Sequence, residues 1–306
     1  VYADAAWAKQ VCESAVAADN GGVLTSNSDN AVIGAITNNP CRVVMYEYNG
    51  GDARLAADIV SYMNGYNDPR RSAMFTKATF TEATITNDYH GIRIGTDPIP
   101  SDKAHCYSNM VTTSIDGLVW MTAAEVQFIL AEGALRGWNM GGSAQFFYER
   151  GIRNAYLEEP WYVYEYNDLV DAYMQREQPV AYVQSDPMGD GADWPSVTKI
   201  GVKWNEADSK ETKLEKIITQ KYIALFPLST EAWTELRRTG YPKCFAVLNT
   251  SDGDGSIPQG ELIRRVPWQS TDPIALQNIN NTGIPALGGP DLQATRLWWD
   301  VDAPNF

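Results

Sequence analysis

The side chains best equipped to bind a ligand fall in three clusters of aromatic, Arg and Asp residues. The stretch 68–107 carries Asp68, Arg70, Arg71, Tyr89, His90, Arg93 and Tyr107. Tyr rings supply stacking area, while Arg and Asp supply paired hydrogen bonds to vicinal hydroxyls, the chemistry of a sugar-binding surface. A second run, Trp161, Tyr162, Tyr164 and Tyr166, puts several rings on one side if the segment is extended. Trp194, beside the acidic loop 186–193, is a third candidate. Each cluster has a plainer reading as well. Arg70 and Arg71 can serve only as salt-bridge partners, and the Trp161 run can pack beneath the C-terminal segment.

Catalytic patterns are missing. The sequence has no G-x-S-x-G elbow, no P-loop and no G-x-G-x-x-G turn. Its two histidines, His90 and His105, stand outside any H-E-x-x-H pattern and read as loop residues. A glycosidase needs two opposed carboxylates, and Glu206 with Glu235 is the pair such an enzyme would use. With 38 acidic residues, some pair always exists by chance. The acidic loops 186–193 and 252–256 have calcium-like composition without EF-hand spacing. Ile257 stands where the glycine belongs, and Ile263 where the bidentate Glu belongs. They read as solvated turns, with no metal and no cofactor.

The formal charge of −14 opposes binding to nucleic acid or to an anionic membrane surface. The chain is rich in amphipathic rings, with 10 Trp and 16 Tyr among its 306 residues. Cys12, Cys41, Cys106 and Cys244 match no zinc or redox spacing, which leaves disulfides and buried thiols both open. No apolar run is long enough to span a bilayer.

The elements that must position these groups are mainly helical. Trp7, Val11, Ala15 and Ala18 predict a first helix, and Leu55, Ile59, Tyr62, Met63 and Tyr66 a second that ends at Asn67-Asp68-Pro69. Residues 67–118 read as an inserted loop region. The clearest unit is a helix pair over 122–158. Thr122 and Glu125 form a capping box ahead of an apolar stripe at Val126, Ile129, Leu130, Gly133 and Ala134. Gly137 ends that helix, and Ser143 caps the next. Ala131, Ala144 and Gly151 let the two helices approach closely, as in a tetratricopeptide hairpin, which implies stacked neighbours. Shorter helices are predicted near 165–177, 211–225 and 229–238, followed by a long wrapping segment. The expected organisation is a tetratricopeptide-like part over 1–160 and an irregular part over 161–306 packed on it.

The segment 120–138, Trp-Met-Thr-Ala-Ala-Glu-Val-Gln-Phe-Ile-Leu-Ala-Glu-Gly-Ala-Leu-Arg-Gly-Trp, resembles the hallmark helix of SusD-like (SusD/RagB) proteins. Phe147 to Ile152, Ile217 to Phe226, Glu231 to Pro242, Arg264 to Trp268 and Arg296 to Asp300 are similar to further family motifs, in family order. The resemblance implies a mainly α fold, with tetratricopeptide-like helical hairpins and an irregular, loop-rich C-terminal region. It implies capture of oligo- or polysaccharide without catalysis, and partnership with a SusC-like TonB-dependent transporter. It also implies lipid anchoring at an outer-membrane surface, through an N-terminal part of the family fold that lies outside this sequence. The resemblance implies ligand sites on variable loops, partly just before the hallmark helix, and this is what singles out Asp68, Arg70, Arg71, Tyr89, His90, Arg93 and Tyr107 as candidates. Trp233, Arg237, Arg238, Trp298, Trp299 and Asp300 are expected to be structural. A secreted glycoside hydrolase and a protein-binding tetratricopeptide scaffold are the alternatives.

Overall fold

In a computed structural model, the described residues are 4–34, 42–111, 118–157, 167–184, 186–188, 194–250, 253–301 and 303–306. The longer helices are α1 (Ala5–Val16), α2 (Ala57–Gly65), α3 (Ala123–Leu135), α4 (Ala144–Tyr156), α5 (Asn167–Met174), α6 (Lys210–Ala224) and α7 (Ser229–Thr239). Strand content among the described residues is two antiparallel pairs. Strands β1 (Ala31–Ile33) and β2 (Leu118–Met121) form one, β3 (Val183–Gln184) and β4 (Trp194–Pro195) the other.

Helices α3 and α4 form the expected hairpin. Thr122 Oγ1 accepts from the Glu125 backbone N–H at 3.1 Å, and Ser143 caps α4 through the Phe146 N–H. Only half of the predicted capping box forms. The Glu125 carboxylate turns inward instead, to Lys221 on α6 at 3.5 Å. Gly151 is required by the packing, because a Cβ there would lie 2.9 Å from the Phe128 ring. The apolar stripe also differs by one position. Phe128 is fully buried against Tyr148, while Ile129 is 39% exposed. Helix α6 packs its Leu214, Ile217 and Ile218 face onto this pair.

A charged cluster sits inside the three-helix contact. Arg238 of α7 donates to both Glu132 oxygens of α3, at 2.7 and 2.6 Å, and to Glu235 at 2.5 Å. Arg136 also reaches Glu132 at 2.9 Å, and Lys221 reaches Glu235 at 2.9 Å. Three carboxylates (Glu125, Glu132, Glu235) thus meet three cations (Arg136, Lys221, Arg238), so the cluster is neutral as a whole. Burial acts to raise the Glu132 pKa, but Arg238 and Arg136 outweigh it and hold the group at about 2.

The C-terminal stretch closes over the helices by polar and stacking contacts. Arg237 lies between Trp233 and Trp299, at 4.3 and 4.7 Å from the ring centres. Asp300 receives Arg264 and Arg296. Trp298 departs from the structural role expected of it and is 78% exposed. Arg136 donates to the Asn305 carbonyl at 2.9 Å and stacks on Phe306. Cys12, Cys106 and Cys244 are free thiols, and Cys41 lies outside the described residues. No helix among the described residues is long and apolar enough to cross a membrane.

Candidate functional site

Helix α2 is buried along its whole length and organises the surface around it. At its N-terminal end, the Ala57 N–H donates to the Ile92 carbonyl at 2.8 Å, and the Ile92 N–H to the Leu55 carbonyl at 2.9 Å. Gly91 makes this approach feasible, since a Cβ there would sit 2.6 Å from the Ala56 carbonyl oxygen. At the other end, Asn64 donates to the Tyr89 carbonyl and accepts from Arg71 at 2.8 Å. The segment 89–93 therefore runs along α2 and presents Tyr89 at one end and Arg93 at the other.

The β3–β4 pair lies over the same segment. Gln184 is buried, accepts from the Tyr182 hydroxyl at 3.1 Å and points its amide at the Gly91 carbonyl. Its strand partner is Trp194, whose side chain is 41% exposed. Beneath it lies the Arg93 guanidinium, 4.9 Å from the Trp194 ring centre and 4.9 Å from that of Phe245. Arg93 Nη2 donates to the Ala246 carbonyl at 2.6 Å. Close by, the Tyr107 hydroxyl donates to Asp186 at 2.5 Å, and the Tyr107 ring packs edge-on against Phe80.

Arg71, Tyr89, Arg93, Tyr107 and Trp194 are thus drawn around one hairpin. They divide into layers. Trp194 is exposed and Arg71 half-buried, while Tyr89, Arg93 and Tyr107 lie underneath. Arg71 and Lys77 approach the Tyr89 ring at 5.6 and 5.9 Å. His90 is half-buried and spends its Nε2 on the Thr86 carbonyl at 2.8 Å.

Asp68 and Arg70 need a correction as ligand contacts. They are 0% and 2% exposed and bind each other through 3.0 and 2.6 Å hydrogen bonds. The Arg70 guanidinium lies 4.2 Å from the Tyr156 ring centre and 5.6 Å from that of Tyr173. The pair pins the turn after α2 onto α4 and α5, and both side chains are buried there. Trp161 and Tyr164, with Tyr162 and Tyr166, lie outside the described residues. Phe245, Asp58, Tyr182 and Lys77 carry no sequence signal, since no motif or period links them to Arg93 or Tyr89. Asp186 belongs to an acidic loop read there as a solvated turn.

The carboxylates proposed for hydrolysis are each held by a cation. Glu206 accepts from Lys213 at 2.6 Å and from the Trp204 indole at 2.8 Å, and those bonds lower its pKa. Glu235 is bound by Lys221 and Arg238. Among the described residues, no group of three or more His, Cys, Asp or Glu side chains is arranged to hold a metal ion. A mostly apolar cavity of about 590 Å³ opens at the N-terminal end of α2, its lining including Leu55, Asp58, Ile59, Phe226, Trp233 and Leu236. Such a lining offers little to sugar hydroxyls.

Comparison with known proteins places this arrangement in a family. The family model described as "SusD-like: Susd and RagB outer membrane lipoprotein" matches residues 1–300. A SusD homologue from Bacteroides thetaiotaomicron superposes with a TM-score of 0.84 at 37% identity, over 99% of this chain and 62% of that one. A chitin-binding SusD homologue from Flavobacterium johnsoniae gives 0.83 at 36% identity, over 98% and 60%. A SusD homologue from Bacteroides uniformis gives 0.83 at 38% identity, over 96% and 60%. The chain therefore spans about three-fifths of the length of these solved neighbours. A search of curated protein sequences found no match. With its mainly helical, tetratricopeptide-like fold, the chain belongs to the SusD-like (SusD/RagB) family.

Proposed function

We propose that this chain captures oligo- or polysaccharide at the outer-membrane surface of a Gram-negative bacterium and passes it to a SusC-like TonB-dependent transporter, without chemistry of its own. The observation that carries the reading is the surface around β3–β4, where an exposed Trp194 ring lies over Arg93, with Asp186 close to that guanidinium. An exposed indole stacks on the apolar face of a pyranose, and flanking charged groups bind its hydroxyl rim. Family membership supports the same reading, as does the chitin-binding neighbour at 36% identity, which makes N-acetylated oligosaccharides the first ligands to try. The family description, an outer membrane lipoprotein, supports anchoring by lipid. The ion-paired states of Glu206 and Glu235 favour capture over hydrolysis. The net charge of −14 disfavours a nucleic-acid partner.

The test is affinity against a panel of soluble polysaccharides with parallel measurement of released reducing ends. Binding without release is expected, with loss of affinity in Trp194→Ala. Release of reducing ends that is lost in Glu206→Gln or Glu235→Gln would overturn the reading in favour of a hydrolase.

A further inference from the structure

We infer that Arg93 is a positioning residue, the middle layer of a Trp194–Arg93–Phe245 stack that fixes the outward face of Trp194 for sugar binding. This rests on the capture reading above. Three observations carry it. The guanidinium lies 4.9 Å from both ring centres, so it fills the space between the indole and the benzyl group. Among the described residues, one of its edges is tied down, by the Nη2 hydrogen bond to Ala246. Its Nε and Nη1 are shut from solvent and have no hydrogen-bond partner among the described residues. Unpaired buried donors are costly and uncommon, so a site that keeps them asks for a reason. With Nε and Nη1 unpaired, the guanidinium is held by its two ring contacts together with the one Nη2 bond.

The lower layer is itself fixed. The Phe245 backbone N–H donates to Asp58 at 2.8 Å, and Asp58 is buried in α2. Asp58 and Asp186 lie near enough to support the Arg93 charge, against the burial that pulls its pKa below the ordinary arginine value. Helix α2 therefore sets Phe245, Phe245 sets Arg93, and Arg93 sets Trp194. On the strand side, β4 pairs with β3 over only two residues, so the short hairpin alone gives the indole little support. A free surface Trp must lose rotamer freedom when a sugar lands on it. One already stacked from below has lost it in advance.

The experiment labels the chain with 5-fluorotryptophan and assigns the Trp194 fluorine line by its absence in Trp194→Phe. Affinity for a soluble chitin oligosaccharide is measured on the same proteins. Arg93→Met and Phe245→Leu should broaden or split the Trp194 line and weaken binding by roughly 3- to 10-fold, the ordering cost of one side chain. Arg93→Lys should resemble Arg93→Met, since a point charge without the planar fork cannot hold two rings. A Trp194 line and an affinity both unchanged in Arg93→Met and Phe245→Leu would overturn the inference. A weaker affinity with an unmoved line would overturn it too, by making Arg93 a direct contact. If the unaltered chain binds no glycan of the panel, the capture reading fails, and the fluorine line still decides whether the stack positions Trp194.

Discussion

Replacing Arg238 by methionine keeps most of the side-chain volume and removes one charge from the neutral cluster between α3, α6 and α7. Three carboxylates then face two cations, and Glu132 loses two charge-assisted bonds of 2.7 and 2.6 Å while keeping Arg136. Removing one partner of a buried pair costs about 3–5 kcal/mol, because a desolvated charge is left behind. The pKa of Glu132 gives an independent figure. Its folded value of about 2 lies below the ordinary 4.5, and at 1.36 kcal/mol per pH unit this is about 3 kcal/mol for Arg238 and Arg136 together, net of burial. A depressed carboxylate stabilises fully above its unfolded pKa, and that stability disappears as pH falls through the folded one. The wild-type protein should therefore exceed Arg238→Met by about 3 kcal/mol in urea unfolding at pH 7, and by much less near pH 2.5. The double variant Glu132→Gln/Arg238→Met should recover part of the loss at pH 7, since it carries no orphaned carboxylate. A gap under about 1 kcal/mol at pH 7, the range of an exposed ion pair, would refute the reasoning. A gap that persists unchanged in acid would do the same.

Three other outcomes follow from the packing and the surface. Gly151→Ala should cost about 1–3 kcal/mol in urea unfolding, because its Cβ would press on the Phe128 ring at 2.9 Å. Arg70→Met should destabilise by about 3–5 kcal/mol by stranding Asp68, and the fraction that stays folded should bind glycan as the wild type does. Trp194→Ala should weaken glycan binding by more than about 1 kcal/mol in calorimetry with the fold retained, since the ring is 41% exposed.

Much of the helical frame was legible because its signals are local. The Thr122 and Ser143 caps, the exit at Gly137 and the small residue at Gly151 all act within a few positions of where they stand. What failed needed three-dimensional information. Glu125 had the right spacing to complete its capping box, but Lys221 of a distant helix drew its carboxylate inward. Phe128 rather than Ile129 faces the partner helix, a rotation of one residue that periodicity tolerates. The site was legible as composition and illegible as direction. Asp68, Arg70, Arg71 and Arg93 look alike in sequence, yet the first two bury against each other while Arg71 reaches the surface. Arg93 and its acceptor Ala246 are 153 positions apart, so no local pattern could have joined them. Trp298 is expected to be structural and is exposed, while its neighbour Trp299 stacks on Arg237.

The most direct test of the central claim is a titration of this chain with soluble polysaccharides, chitin oligosaccharides among them, with released reducing ends counted in the same samples. The account predicts saturable binding that Trp194→Ala weakens, and no rise in reducing ends over prolonged incubation. Reducing ends that accumulate with enzyme-like turnover, or binding indifferent to the loss of Trp194, would contradict it.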